Sequence, residues 1–148
     1  MKKQLKIATM KDYDRIQQFL QKAEISTIGV AENIHHFVVI ENDEKEVMAT
    51  VGFEKEGTAG ILRSLVVSPA LMKSDILMLF ESVVQLAKEH GVYELYLVTN
   101  KASSVQFFEM MNFQQINHQD LPLGLKQRSY LQQLPDLNQV YVMAYEAM

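Results

Sequence analysis

Two charged residues stand inside otherwise apolar runs: Glu54 in EVMATVGFEKE and Arg63 in AGILRSLVVS. Together they suit either of two tasks. They can grip the ammonium and carboxylate of a small amino-acid-like ligand, with Glu54 the candidate base, or they can form an exposed cross-strand ion pair. A second feature is VVSPALMKSDILMLF over residues 66–80, which reads as a strand end, a turn opened by Pro69 and the start of an amphipathic helix. Such units hold phosphates because the first helical N–H groups lack partners and the helix dipole favours an anion. The turns that do so are usually glycine-rich, and this one has no glycine. Ser74 has the chemistry of an N-cap and Asp75 that of a first-turn acid, so the chain's own side chains are expected to take the place of a phosphate. The Asp75 carboxylate would repel such a ligand, and Lys73 would offset part of that repulsion.

Other reactive side chains carry less. Adjacent His35 and His36 would point to opposite sides of a strand, so they cannot chelate one metal together and are read as strand-entry residues. Met72, Met78, Met110 and Met111 are read as core fillers. Tyr96 lies in an apolar strand, where it faces a site or packs. Phe107 and Phe113 recur at helical core spacing.

These residues need a scaffold, and the pattern supplies one. Gln4–Thr9 alternates as a strand, and Lys11–Ala23 places Ile16, Phe19 and Leu20 on one helical face. A short helical connection over Gly29–His35 leads to the strands HFVVIEN, EVMATVGFEKE and AGILRSLVVS. The last two are joined by GTAG, a hairpin loop of about four residues that would set Glu54 opposite Arg63. A helix from about Ser74 to His90 shows Ile76, Phe80, Val83, Val84 and Ala87 to the core and stops at Gly91. VYELYLVT is a strand, and NKASSVQFFEMMNF is a helix opened by Asn100 and closed by Asn112. A strand near Gln114–Asn117, a polar segment between Pro122 and Pro135 holding one short helix, and the strand NQVYVMAY complete the chain. The order predicts a single α/β domain over residues 1–148 with a mixed sheet.

Composition narrows the partners. Net charge is −4 and the pI near 5.5, which argues against nucleic acid or an anionic membrane as partner. The 148 residues include no cysteine, so disulfides and thiolate metal sites are excluded. The basic start MKKQLK runs into charge too soon for a signal peptide, and no stretch approaches a membrane span, which makes a cytoplasmic location the expectation.

The order of elements, with AGILRSLVVSP, the helix running into EHGVYELYLVT, and VQFFEMMNF, resembles the GNAT superfamily of acetyl-CoA-dependent N-acetyltransferases. The resemblance runs from about Ile7 to Tyr145. The Leu-Arg-Ser-Leu strand and the late Leu121-Pro122 are most similar to the arsenic-resistance acetyltransferase and N-acetylglutamate synthase branch. It implies a mixed, mostly antiparallel sheet of about seven strands flanked by about four helices. It also implies acetyl-CoA as cofactor, with its pantetheine arm along Leu65, Val66 and Val67 and its pyrophosphate at Met72, Lys73, Ser74, Asp75, Ile76 and Leu77. Asn100, Phe107 and Phe108 complete the expected cofactor site. Phe108 stands where many members carry a proton-donating tyrosine, and a phenyl ring donates none. Glu54 and Arg63 would face a small-molecule amine, and the strand Gln139–Tyr145 would support a homodimer. The missing glycines open two further readings: a GNAT-fold protein with weak or no CoA binding that serves as a ligand-binding or interaction module, and an enzyme whose acyl donor places no pyrophosphate at this turn.

Overall fold

A computed structural model describes residues 2–128, 131 and 140–146. Pro135, Asn138 and Gln139, and with them part of the expected polar segment and final strand, lie outside the described residues. The elements are β1 (Lys3–Ile7), α1 (Tyr13–Lys22), β2 (Phe37–Asn42), β3 (Val47–Glu56), β4 (Ala59–Val67), α2 (Lys73–Glu89), β5 (Glu94–Thr99), α3 (Ala102–Met110), β6 (Gln114–Ile116), α4 (Leu123–Lys126) and β7 (Tyr141–Glu146). Seven strands form one sheet in the order β1-β2-β3-β4-β5-β7-β6. Every neighbouring pair is antiparallel except β4 with β5, which run parallel. Among the described residues this is the mixed sheet flanked by four helices, α1 to α4, that the resemblance implies, and β7 has both its edges paired within the chain.

Each face of the sheet buries an apolar layer. Val38, Val51, Phe53 and Leu62 pack beneath Leu79, Phe80, Val83, Leu86 and Ala87 of α2 and Val105 and Phe108 of α3. On the other face Phe37 and Val39 meet Ile16 and Leu20 of α1, while Ile61 and Val142 meet Leu121 and Leu125 around α4. Leu79 and Leu86 are therefore core residues of α2, whereas the expected Ile76 and Val84 are only partly buried. Gly91 (φ +77°) and Asn112 (φ +71°) end α2 and α3 in the left-handed conformation, as expected of those residue types.

Several details differ from the sequence reading. The β3–β4 loop has two residues, Gly57 and Thr58, and pairing begins at Glu56 with Ala59. Glu54 is thus opposite Ile61, and Arg63 is opposite Gly52. The difference is an even number of residues, so Glu54 and Arg63 stay on one face as diagonal neighbours. Ser74 is not the cap of α2: the helix starts at Lys73 with Met72 as N-cap. Asn100 does not open α3, whose N-cap is Lys101. His35 and His36 belong to a 3-10 turn (Ile34–His36) ahead of β2, where His36 stacks on Phe53 at 4.4 Å. Met72, Met78 and Met110 are exposed on the outer faces of α2 and α3 or at the turn before α2; of the four methionines only Met111 packs against the core.

Candidate functional site

A cavity of about 370 Å³ opens where β4 and β5 part, a volume in the range of small-ligand sites. The two strands pair only from Ala59 to Ile61 against Glu94 to Tyr96. Among the described residues no strand pairs with β4 on its β5 side beyond Ile61, so that edge can offer backbone groups to a ligand there. Leu62, Arg63, Ser64 and Leu65 form one wall and Leu97 to Lys101 the other; Phe80, Ser104 and Phe108 close the side toward the helices, and Ile25 the far side.

The wall on β4 carries a bulge. Gly52 pairs with Arg63 but Thr50 pairs with Val66, so Ser64 and Leu65 together oppose Val51. Ser64 takes up the extra residue with φ +60°, a left-handed conformation that is strained for a residue with a Cβ. Two bonds hold it: the buried Thr50 Oγ1 donates to the Ser64 carbonyl at 2.7 Å, and Arg63 Nε donates to Ser64 Oγ at 3.0 Å. The bulge reverses the alternation of the strand. Before it Leu62 faces α2 and Ile61 faces α4; after it Leu65 and Val67 face α2, and Val66 faces α1.

Arg63 is buried and committed. Its Nη1 donates to Glu54 Oε2 and to the Ile28 carbonyl, both at 2.6 Å, and its Nη2 donates to the Ser26 carbonyl at 3.2 Å. It thereby ties the segment after α1, which includes the cavity residue Ile25, onto β4. Gly29 (φ +85°) permits this approach, because a Cβ there would lie 3.0 Å from Arg63 Nη1 and 3.3 Å from Glu54 Oε2. The second oxygen of Glu54 accepts from Arg128 Nε at 3.0 Å. The pair is therefore not exposed, as the sequence reading had it, but a buried knot joining β3, β4, the α1–β2 segment and the residues after α4.

At the start of α2, Asp75 Oδ2 accepts from the Met72 N–H at 2.8 Å and from Lys3 Nζ at 2.7 Å. The Lys3 bond first, and the Met72 N–H second, hold the Asp75 carboxyl below the usual carboxylate range. The expected self-occupied helix start is met in part: Asp75 takes the N–H of the N-cap residue Met72, and Ser74 makes no cap.

Of the candidate residues, Arg63, Leu65, Asn100 and Phe108 meet on the cavity. Val66 and Val67 continue β4 past it, Met72 to Leu77 surround the start of α2, and Phe107 packs edge-on to Phe80 at 5.8 Å. Glu54 lies behind the wall, and Tyr96 packs against the layer around α4, where burial and then Glu94 and Glu146 raise its pKa. Thr50, Ser64, Ser104, Lys3 and Arg128 were not singled out by sequence. The one available signal was the polar pair Arg63-Ser64 interrupting an apolar strand, which marks the bulge.

No family model matches the chain. The uncharacterized protein YwlB of Bacillus subtilis is 38% identical over 112 residues, covering 75% of this chain and 76% of YwlB. Among solved structures, N-acetylglutamate synthase of Neisseria gonorrhoeae, complexed with coenzyme A and N-acetyl-glutamate, superposes with a TM-score of 0.77 at 16% identity. All of this chain is covered, but it spans only 36% of that synthase. A GNAT-family acetyltransferase of Staphylococcus aureus superposes with a TM-score of 0.72 at 20% identity, covering 99% of this chain and 100% of the other. The chain belongs to the family of YwlB and has the GNAT fold.

Proposed function

We propose that this protein is an acetyl-CoA-dependent N-acetyltransferase that passes an acetyl group directly to a small amine or amino-acid-like acceptor. The observation that carries this reading is the parting of β4 and β5 beyond Ile61, which leaves a strand edge and a cavity side by side. The pantetheine arm is placed along that edge at Leu65 to Val67, where its amides can pair with strand N–H and C=O groups on the side away from β3. Bound acetyl-CoA supplies an activated thioester. The chain's own residues hold and polarise: the bulge at Ser64, locked by Thr50, presents backbone donors at a fixed angle, and a preorganised donor stabilises charge developing on a carbonyl oxygen. Lys101 and Ser104 give the α3 side of the cavity its polar groups, beside the apolar Phe108. With both Glu54 oxygens engaged by guanidinium groups, Glu54 and Arg63 shape the acceptor wall, and the attacking amine arrives already neutral.

The fit stops at the start of α2, where an aspartate and no glycine occupy the turn. That observation favours the second reading, a GNAT-fold protein with weak CoA binding. Thiol release from acetyl-CoA across a panel of primary amines, beside calorimetric titration with acetyl-CoA, tests both. Amine-dependent thiol release with binding below about 1 mM supports the enzyme. Binding without release for any amine favours the binding module, and no binding removes the acetyltransferase.

A further inference from the structure

We propose that Asp75 sets the donor specificity of the cleft: it withdraws the α2 N-terminus from anions, so a thioester is recognised through its pantetheine arm and not through its diphosphate. The proposal rests on the acetyltransferase reading and deepens it. The turn that follows β4 uses its donors internally. The Ala70 N–H donates to Ser68 Oγ at 3.2 Å, the Leu71 N–H to the Ser68 carbonyl at 3.1 Å, and the Met72 N–H to Asp75 Oδ2 at 2.8 Å. No glycine lies between Gly60 and Gly91, so the backbone cannot wrap an anion closely.

The cation of the site is committed as well. Lys3, from the edge strand β1, donates to the same Asp75 oxygen at 2.7 Å, and the two side chains are only 22% and 16% exposed. Asp75 holds two of the donors that a phosphate at this helix start could use, the Met72 N–H and the Lys3 ammonium, and sets its negative charge beside the first N–H groups of α2. Two substitutions therefore act in opposite directions. Asp75→Asn keeps an oxygen for the Met72 N–H, removes the charge and releases Lys3 to a phosphate. Lys3→Met removes the cation and leaves the carboxylate.

The test is calorimetric titration of wild type and both variants with CoA and with pantetheine, which share the arm and thiol and differ in the 3′-phosphoadenosine and the diphosphate that joins it, with circular-dichroism melts to establish that each variant is folded. In wild type the two dissociation constants should agree within about threefold. Asp75→Asn should tighten CoA about tenfold and leave pantetheine unchanged, and Lys3→Met should weaken CoA alone. Wild-type CoA binding more than about a hundredfold tighter than pantetheine, or a ratio unmoved in the folded variants, overturns the role of Asp75 while the acetyltransferase reading stands. Failure of both ligands on all three proteins removes that reading and this proposal together. CoA bound only by Asp75→Asn, with pantetheine bound by all three proteins, supports the proposal.

Discussion

Exchanging Glu54 and Arg63 (Glu54→Arg with Arg63→Glu) asks whether this pair is a surface contact or part of the framework. For an exposed cross-strand pair the exchange costs under about 1 kcal/mol, because the partners are interchangeable in water. Here the two side chains are 4% and 0% exposed and their surroundings differ. Position 63 faces the carbonyl oxygens of Ser26 and Ile28 and the hydroxyl of Ser64, whereas position 54 faces Arg128. After the exchange a carboxylate would meet two carbonyl oxygens and an arginine would meet Arg128. Breaking a buried pair costs about 3–5 kcal/mol, and each lost bond to a charged group about 1.5–3 kcal/mol, with the two overlapping. We expect a loss of about 4 kcal/mol, a fall in melting temperature of roughly 8–16 °C for a domain of this size. Urea unfolding followed by far-ultraviolet circular dichroism reads it directly. A loss below about 1 kcal/mol would refute the buried knot.

Three further outcomes follow from the same geometry. Thr50→Val removes the hydroxyl that holds the Ser64 carbonyl at 2.7 Å and should cost about 1–2 kcal/mol in urea unfolding, with Thr50→Ser restoring most of it. Gly52→Ala would place a Cβ 2.6 Å from the buried Phe37 ring and should destabilise by about 1–3 kcal/mol in the same assay. His36 is stacked on Phe53 and edge-on to His90, and burial, with His90 next, depresses its pKa below the ordinary 6.5. The unfolded chain therefore binds this proton more readily than the folded one, so this contribution to stability is present above the unfolded pKa and is lost as pH falls toward the folded one. Melting temperature measured from pH 7.5 to 5 should fall less steeply in His36→Phe, which keeps the stacking but does not titrate.

Local chemistry made much of the fold legible. Amphipathic spacing placed α1 and α2, and Gly91 and Asn112 marked helix ends that require positive φ. Sequence failed where a choice depends on contacts distant in the chain. GTAG admits a two- or a four-residue loop, and the shorter one won because it pairs Glu56 with Ala59 and aligns Gly52 with the bulky neighbours Phe37 and Arg63. Ser74 is a better cap by type than Met72, but Lys3, 72 residues away, draws Asp75 into the capping role. Arg63 and Glu54 were visible as charges within apolar strands. Their burial was not, because it is produced by Ser26, Ile28 and Arg128, which arrive from separate segments. The bulge showed only as the polar pair Arg63-Ser64, and Thr50, which holds it, carries no mark of its own in the sequence.

If the parted strands form the acyl-donor site, acetyl-CoA must lie along β4 and β5. Amide NMR titration of the isotopically labelled protein with acetyl-CoA tests it most directly. Perturbations are expected at 62–67 on β4 and at 97–104 on β5 and the start of α3, with the α1 face unmoved. Saturating acetyl-CoA that leaves those amides unchanged, or perturbs the α1 face instead, would contradict it.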